Sequence, residues 1–440
     1  MQFAHNVFPE STTVDENGFM SVDGVPVADV VNRYSTPVII YSERDVIDAT
    51  DEFVKVFDRV LYASKAAPIV GLEKVIFERG AGCAVASAGE LEVALRAGGD
   101  PSSMVMHGNN KSDEDITRAL EVGVSRIVVE DEHECDRIEK IAGNLDIKDV
   151  DVQLRITPGI EADTHAYLMT GGLDSKFGSA VQNGSAQRVC DRIIGSEVLV
   201  LKGLHCHIGT QITDAEPLTK AARVMVEFYV SLREQYSTQG IDLMVNEISV
   251  GGGFGIHYQP DDDVALPVDL AKAVRATAHE VCAQHNLQDL EVWAEPGRGI
   301  VGRAGFTAYR VGSIKEIPGV KTYIAVDGGM GDNVRPAMYD AQHLSWVSGR
   351  NGDVGSHAVA VAGKLCESGD ILSQRVELPV DVAVDDILCM ASTGAYSFAM
   401  ASNYNMLTRP AVVLVGQNID GGMREIVRRE TMDEMLSRMV

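Results

Sequence analysis

A single lysine follows a short apolar run early in the chain. Residues 61–64 (LYAS) precede Lys65, and a helical pattern follows. An amine at the end of a buried strand is partly desolvated, which disfavours its charged form. Such a lysine is suited to forming an imine with a carbonyl compound. The hexapeptide alone is a weak signal, because ordinary lysines also lie at strand ends.

Two glycine-rich turns could bind an anion. Residues 251–255 read GGGFG after an apolar run, and residues 295–298 read EPGR. Glycines let backbone N–H groups approach an anion without obstruction by side chains. No Gly-Lys-Ser/Thr follows, so the first turn is not a Walker motif. We predict a phosphate site there, with a simple flexible turn as the alternative.

Two histidines lie two positions apart in residues 205–211 (HCHIGTQ). On a strand, His205 and His207 would point the same way, so a metal is conceivable. A third ligand with suitable spacing is not apparent, and we predict no metal. We interpret His207 as a flat ring that stacks on a planar cofactor, and His205 as a core residue. Thr210 could add a hydroxyl group to a phosphate site.

Polar residues that could bind a substrate or take part in a reaction recur in the last third of the chain. Arg335, followed four positions later by Tyr339, can bind a carboxylate with a fork and a hydroxyl group. A surface arginine is the alternative. Cys366 and Glu367 combine a thiol and a carboxylate before a turn, although such a pair is usually structural. Tyr396, after Gly-Ala, is a weaker candidate.

The elements that must position these residues alternate between apolar strands and helical segments. This order predicts an α/β fold with a parallel sheet covered by helices. Eight units in about 250 residues predict a closed (β/α)8, TIM-like barrel, which they fit better than an open doubly wound sheet. The candidate residues follow the carboxyl ends of the strands, where barrel active sites are built. The predicted strands are 60–64, 82–87, 104–108, 126–130, 152–157, 200–208, 247–252 and 291–295.

The chain of 440 residues is too long for one ordinary core, so two domains are expected. We assign residues 42–303 to the barrel. Valine-rich strands and turns predict a β-rich domain over residues 304–440. The N-terminal strands, residues 1–41, are expected to join that domain, because a closed barrel offers them no open edge.

Composition excludes several function classes. The formal net charge of −26 argues against nucleic acid or an anionic membrane surface as a partner. No stretch approaches the ~20 apolar residues of a transmembrane helix, and no signal peptide is evident. Seven scattered cysteines without a CxxC pair suggest neither a zinc site nor a disulfide framework. A cytoplasmic location is therefore expected.

The motifs, taken in order, resemble those of the fold-type III pyridoxal-phosphate decarboxylases. The resemblance covers nearly the whole chain and is closest to members that act on meso-2,6-diaminopimelate. It implies an alanine-racemase-like barrel plus a β-domain, in agreement with the pattern of strands and helices. The motifs are residues 62–66 (YASKA), 107–111 (HGNNK), 175–178 (SKFG), 205–211, 251–255, 295–298, 335–339 (RPAMY), 366–370 (CESGD) and 394–396 (GAY).

The resemblance implies a role for each matching residue toward pyridoxal 5'-phosphate. Lys65 would bind the cofactor covalently, His207 would stack on its ring, and Glu295 would pair with the ring nitrogen. The resemblance also implies that Thr210, Gly253, Gly297 and Tyr396 hold the phosphate group, and that Gly252 and Arg298 contact the cofactor.

The same resemblance implies the substrate contacts and the assembly. Cys366 would donate the proton after carbon dioxide leaves, and in this family Cys366 and Glu367 reach the site from the partner subunit of a homodimer. The implied product is L-lysine, in the last step of its biosynthesis. The distal end of the amino-acid substrate would be bound by Arg298, Arg335, Tyr339, Glu367 and Tyr396.

Two positions depart from the commonest family pattern. Thr210 replaces a frequent serine but keeps the hydroxyl group, and Asp340 replaces a frequent glycine. An aspartate at the matching place binds the distal amine in ornithine decarboxylases. A decarboxylase of ornithine, D-lysine or carboxynorspermidine, an amino-acid racemase and a catalytically silent homologue are therefore alternatives. Arg298 and Arg335 favour diaminopimelate, because ornithine and lysine lack a distal carboxylate.

Overall fold

The computed structural model describes residues 3–160, 172, 175–243 and 245–440. It divides into two compact units. One comprises Thr50–Gly255 and Val264–Gly299; the other comprises Met1–Ala49, Ile256–Asp263 and Ile300–Val440. The domain bounds predicted from the sequence stay a prediction. No described helix is long and apolar enough to cross a membrane.

The described strands, in chain order, are β1 Thr12–Val14, β2 Met20–Val22, β3 Val25–Pro26, β4 Val38–Ser42, β5 Arg59–Ala63, β6 Gly82–Val85, β7 Met104–Met106, β8 Arg126–Val129, β9 Val150–Thr157, β10 Ser179–Ala180, β11 Leu199–His205, β12 Glu247–Ser249, β13 Glu291–Ala294, β14 Gly305–Ile317, β15 Lys321–Val326, β16 Ser345–Ser348, β17 Ser356–Ala362, β18 Ile371–Pro379, β19 Ile387–Met390, β20 Ala411–Val415 and β21 Met423–Val427.

The α-helices of the described residues are α1 Val27–Tyr34, α2 Glu43–Val56, α3 Val70–Phe77, α4 Ala88–Arg96, α5 Asp113–Val122, α6 Glu132–Asn144, α7 Ser185–Ile194, α8 Ala215–Thr238, α9 Pro267–Gln284, α10 Arg298–Val301, α11 Arg335–Tyr339 and α12 Met432–Leu436.

A closed barrel forms the first unit, and the prediction of a (β/α)8 barrel is confirmed. Within the described ranges, eight strands pair in parallel in the order β5-β6-β7-β8-β9-β11-β12-β13, and β13 pairs with β5 to close the ring. The short β10 adds to β9. The sixth strand ends at His205 rather than at the predicted residue 208. The glycine turns follow the seventh and eighth strands, as expected.

Ion pairs occupy the amino ends of the barrel strands. Arg126 begins β8, and its Nε lies 2.7 Å from Oε1 of Glu247, the first residue of β12. Gln153 donates to the same oxygen at 2.9 Å, and the Arg126 guanidinium lies 5.8 Å from the Trp293 ring centroid. This end of the barrel is closed by mutually paired charges, which leaves chemistry to the opposite, carboxyl end.

The second unit is built on a large mixed sheet. Its strands run in the order β18-β17-β15-β14-β4-β20-β21, and β19 joins β14 to β16. The N-terminal β4 pairs antiparallel with β14 and parallel with β20. Near the N-terminus, β2 and β3 form a hairpin across Asp23 and Gly24, whose φ angles of 51° and 79° suit a tight turn.

Candidate active site at the carboxyl ends of the barrel strands

Lys65 lies in a single 3-10 turn, Ser64–Ala66, directly after β5. The expectation that its amine is partly buried is wrong, because Lys65 is exposed. The apolar run ends at Ala63. The turn that follows places the side chain of Lys65 outside the buried strand. A Cβ atom on Gly297 would lie 2.9 Å from that of Ala66, so glycine lets the turns after the first and eighth strands pack together.

Glu295 is a buried carboxylate that follows β13. The Ser249 hydroxyl group donates to Oε1 at 2.7 Å. Nε2 of His205 lies 3.2 Å from Oε2, and Nε2 of His107 lies 3.5 Å from the same oxygen. Burial alone would raise the pKa of Glu295, but the two histidines outweigh burial and hold this pKa well below its usual range. Glu295 is therefore ionised at neutral pH.

His205 is buried, in agreement with its interpretation as a core residue, and it also contacts the Glu295 carboxylate, which the sequence did not show. Burial lowers the pKa of His205 to about 4, so the ring is neutral at neutral pH. A neutral ring can donate from Nε2 to Glu295. Three donor atoms, from His107, His205 and Glu295, lie within 4.8 Å of one another. The third metal-type ligand that the sequence did not reveal is thus present, supplied by distant strands.

His207 is half-buried just beyond the end of β11. Its Nδ1 accepts a hydrogen bond from the Gly252 backbone N–H at 3.3 Å, which fixes the ring. Burial, aided by the positive charge of Lys65, holds the pKa of His207 well below 6.5. Gly253 has a φ of +103°, and a Cβ there would lie 2.6 Å from the Gly209 carbonyl oxygen. The glycine turn is therefore tightly packed rather than simply flexible.

Arg298 and Thr210 join the turns after the eighth and sixth strands. Arg298 is buried, and its guanidinium donates to the Thr210 hydroxyl group at 3.2 Å. These predicted residues lie in the barrel unit together with Lys65, His207 and Glu295.

In the other unit, Arg335 is surrounded by aromatic rings. It is buried at the start of α11, and its guanidinium carbon lies 5.5 Å from the Tyr339 ring centroid and 5.9 Å from that of Tyr396. The structure thus brings three predicted residues together. It adds Tyr258 at 5.6 Å, which sequence reasoning missed. Tyr258 is in a short segment, Ile256–Asp263, that belongs to this unit although the chain around it forms the barrel.

Cys366 and Glu367 lie in an exposed loop between β17 and β18 of this same unit. Of the seven cysteines, all within described residues, only Cys366 is exposed. Its backbone N–H donates to Oδ1 of Asn405 at 2.7 Å. Buried Asp370 accepts from the backbone of Leu365 at 2.7 Å, which anchors the loop. Asp340 is exposed at the end of α11.

Comparison with known proteins places this geometry in a family. The family model for the pyridoxal-dependent decarboxylase, pyridoxal binding domain, matches residues 43–302. The chain belongs to the pyridoxal-dependent decarboxylases. The predicted resemblance is confirmed, as is the expectation of a pyridoxal-phosphate-dependent amino-acid decarboxylase.

Relatives and solved structures extend the match over both units. A diaminopimelate decarboxylase of Bacillus subtilis is 38% identical over 428 residues, covering 96% of this chain and 95% of that protein. One from Staphylococcus aureus is 36% identical, covering 96% and 98%. The crystal structure of a diaminopimelate decarboxylase from M. jannaschii, in complex with L-lysine, matches with a TM-score of 0.89, 30% identity and 98% coverage of each chain.

The barrel residues fit pyridoxal phosphate. An ionised carboxylate, Glu295, can hold a proton on a ring nitrogen, and the Nε2 atoms of His107 and His205 beside it keep it oriented. The exposed amine of Lys65 is accessible to an aldehyde. The fixed, neutral ring of His207 offers a flat surface. The donor set therefore suits a protonated pyridine ring.

Proposed function

We propose that the protein decarboxylates meso-2,6-diaminopimelate to L-lysine and carbon dioxide, as the last step of lysine biosynthesis. The observation that carries this proposal is the buried, ionised Glu295 at the active end of a barrel whose relatives are diaminopimelate decarboxylases. When bound, pyridoxal phosphate supplies an electron sink for the bond that breaks at the α-carbon.

Each barrel side chain then has a defined task. Lys65 would hold the cofactor covalently through its amine. Glu295 would hold a proton on the ring nitrogen, since its own charge is secured by His107 and His205. His207, fixed by Gly252, would support the ring. The phosphate group would be held by Thr210, Gly253, Gly297 and Tyr396, and Gly252 and Arg298 would also contact the cofactor.

The substrate's distal end requires charged partners. An unpaired carboxylate in a closed pocket costs several kcal/mol, so a cation must face it. We assign this role to Arg335 and Arg298, both buried. The tyrosine rings around Arg335 hold its guanidinium in place while Tyr339 and Tyr396 add hydroxyl groups. Exposed Glu367 would bind the distal ammonium group.

Cys366 would return a proton to the α-carbon. Its thiol is exposed on the loop, which suits donation into the active site of a second copy. We therefore propose a homodimer in which each subunit supplies Cys366 and Glu367 to its partner. We also propose a cytoplasmic location, consistent with seven unpaired cysteines.

The substrate assignment is tested with a panel of diamino acids. Purified protein with pyridoxal phosphate is given meso-diaminopimelate, ornithine, D-lysine or carboxynorspermidine, while carbon dioxide and product chirality are measured. We expect carbon dioxide and L-lysine from diaminopimelate, with the other substrates far slower. A preference for ornithine would make Asp340 the specificity residue, and racemisation without carbon dioxide would overturn the proposal.

A further inference from the structure

A carboxyl group is buried beneath the turn that carries Lys65. Glu73 lies in the first turn of α3 and is 0% exposed. Glutamate is almost never fully buried unless it is paired with a cation, and no ion pair of Glu73 is found among the described residues. This residue has no part in the chemistry proposed above, so its position needs its own explanation.

The Glu73 side chain forms a hydrogen bond with the residue before Lys65. The Ser64 hydroxyl group and Oε1 of Glu73 are 2.6 Å apart. Oε2 is buried and has no hydrogen-bond partner in the described part of the chain. The Ser64 carbonyl oxygen also accepts from the Ala67 N–H at 3.0 Å, and its own N–H faces the buried Cys83 thiol. Ser64 is thus held from three sides, one of which is Glu73.

Among the described residues, the groups that act on Glu73 include no cation that would compensate a negative charge on its carboxyl group. Glu90, on α4, adds a second carboxyl group nearby, and Cys83, on β6, adds a buried thiol. Burial raises the pKa of Glu73 to about 8, against the effect of the Ser64 hydrogen bond. Glu90 in turn interacts with the charges of Lys65 and His107, so the cluster extends to the proposed active site.

We propose that Glu73 is a positioning residue for Lys65, acting through its hydrogen bond to Ser64. This inference rests on the proposed function of Lys65. A neutral acid can keep the hydrogen bond to Ser64 without bringing an unpaired charge into the barrel wall. An ionised, unpaired Glu73 would draw water toward the turn and shift Ser64, and with it the adjacent Lys65, out of position. The alternative is that Glu73 only fills space between α3 and β6.

The rate at which apoenzyme captures pyridoxal phosphate separates these two roles. The probe is the cofactor itself, followed by its absorbance on binding Lys65, between pH 6 and 9. We expect Glu73→Leu, which fills the space without a hydrogen bond, to slow capture by about five- to a hundredfold at pH 7, the effect of one lost buried hydrogen bond. Glu73→Gln restores the bond and should recover most of the rate.

The pH profile supplies a second measurement that does not depend on Glu73→Leu folding. Wild type should lose capture rate as the pH rises through about 8, where Glu73 ionises. That loss should be absent from the Glu73→Gln profile. Glu78→Gln is the matched control, because Glu78 is exposed near the end of the same helix and contacts Lys74 at 4.0 Å rather than Ser64.

Three outcomes would overturn the inference. They are capture by Glu73→Leu at the wild-type rate, an alkaline loss that persists in Glu73→Gln, and removal of that loss by the Glu78→Gln control. Each outcome is scored only on protein that binds the cofactor and releases carbon dioxide from diaminopimelate. The proposed function would therefore stand even if the inference about Glu73 failed. If wild type captures no cofactor at Lys65 at any pH, the proposed function itself is wrong, and the two failures are distinct.

Discussion

His205 and Glu295 lie 3.2 Å apart, both buried, at the carboxyl ends of β11 and β13, two barrel strands separated by β12. Their protonation states are complementary: the carboxylate is ionised and the imidazole is neutral. The pair therefore presents one fixed negative charge with a defined orientation. We propose that this charge, rather than the lysine alone, selects a cofactor whose ring nitrogen must stay protonated.

Replacing Glu295 with glutamine should leave the cofactor bound but lower kcat by about a hundredfold or more, the scale on which a preorganised charge acts. An amide cannot hold the ring nitrogen as a cation, so the electron sink weakens. The measurements are cofactor absorbance and single-turnover rates. Glu291→Gln, an exposed position on the same strand, is the control. Near wild-type turnover in Glu295→Gln would remove the proposed role.

Acid should destabilise the barrel through His205. Its pKa is about 4 in the folded protein and about 6.5 in the unfolded chain, so the unfolded state binds more protons between these values. Stability is therefore lost as the pH falls from about 6.5 to 4, by about 3 kcal/mol in total. Urea unfolding across this range should show a flatter dependence for His205→Gln. The exposed His133→Gln variant should keep the wild-type slope, and identical slopes in all three proteins would refute the argument.

Arg335→Lys keeps the charge but loses the bidentate fork. We expect kcat/KM for diaminopimelate to fall by an amount equivalent to about 1–3 kcal/mol, the worth of a charge-assisted hydrogen bond. Any trace activity toward lysine or ornithine should change far less, since neither has a distal carboxylate. The ratio of the kcat/KM values for two substrates on the same variant cancels errors in enzyme concentration. Arg375→Lys, exposed in the same unit, is the control; equal losses for both substrates would contradict the assignment.

The proposed sharing of active sites between two subunits predicts complementation between two inactive chains. Lys65→Ala and Cys366→Ala are co-expressed with different tags, and the mixed dimer is purified. One of its sites carries both lesions and the other neither, so up to about half of the activity per dimer should return. In the control for folding, the Lys65→Ala chain is co-expressed with Cys389→Ala instead of Cys366→Ala. Cys389 is a buried cysteine of the same unit. Mixed dimers without activity would place both residues in the same chain's site.

The fold could be predicted from the sequence because its signals are local. Each barrel strand is a short apolar run, and the strand starts at residues 82, 104, 126, 247 and 291 agree with the structure. The exposure of Lys65 was mispredicted because the position of a strand's last residue depends on the following turn. In this chain β5 stops at Ala63, and Ser64 already belongs to the turn.

The site was only partly predictable because several contacts join distant segments. Tyr258 contacts Arg335 although 77 positions of sequence separate them. Its short segment belongs to the unit of Arg335, whereas the chain on either side belongs to the barrel. His107 and His205 meet at Glu295 only once the barrel closes. Glu73 resembles any helical glutamate in the sequence, since nothing local shows that its face of α3 is buried against Ser64.

The central claim is that Lys65 carries the cofactor of a decarboxylase, and one trapping measurement tests it directly. The purified protein with pyridoxal phosphate is reduced with borohydride, digested, and examined by mass spectrometry. We predict a pyridoxyl group on Lys65, together with loss of carbon dioxide release from diaminopimelate. Lys65→Ala should give no adduct, and Lys74→Ala, an exposed lysine on α3, should behave as wild type. An adduct on another lysine with full loss of activity, or activity that survives in Lys65→Ala, would contradict the account.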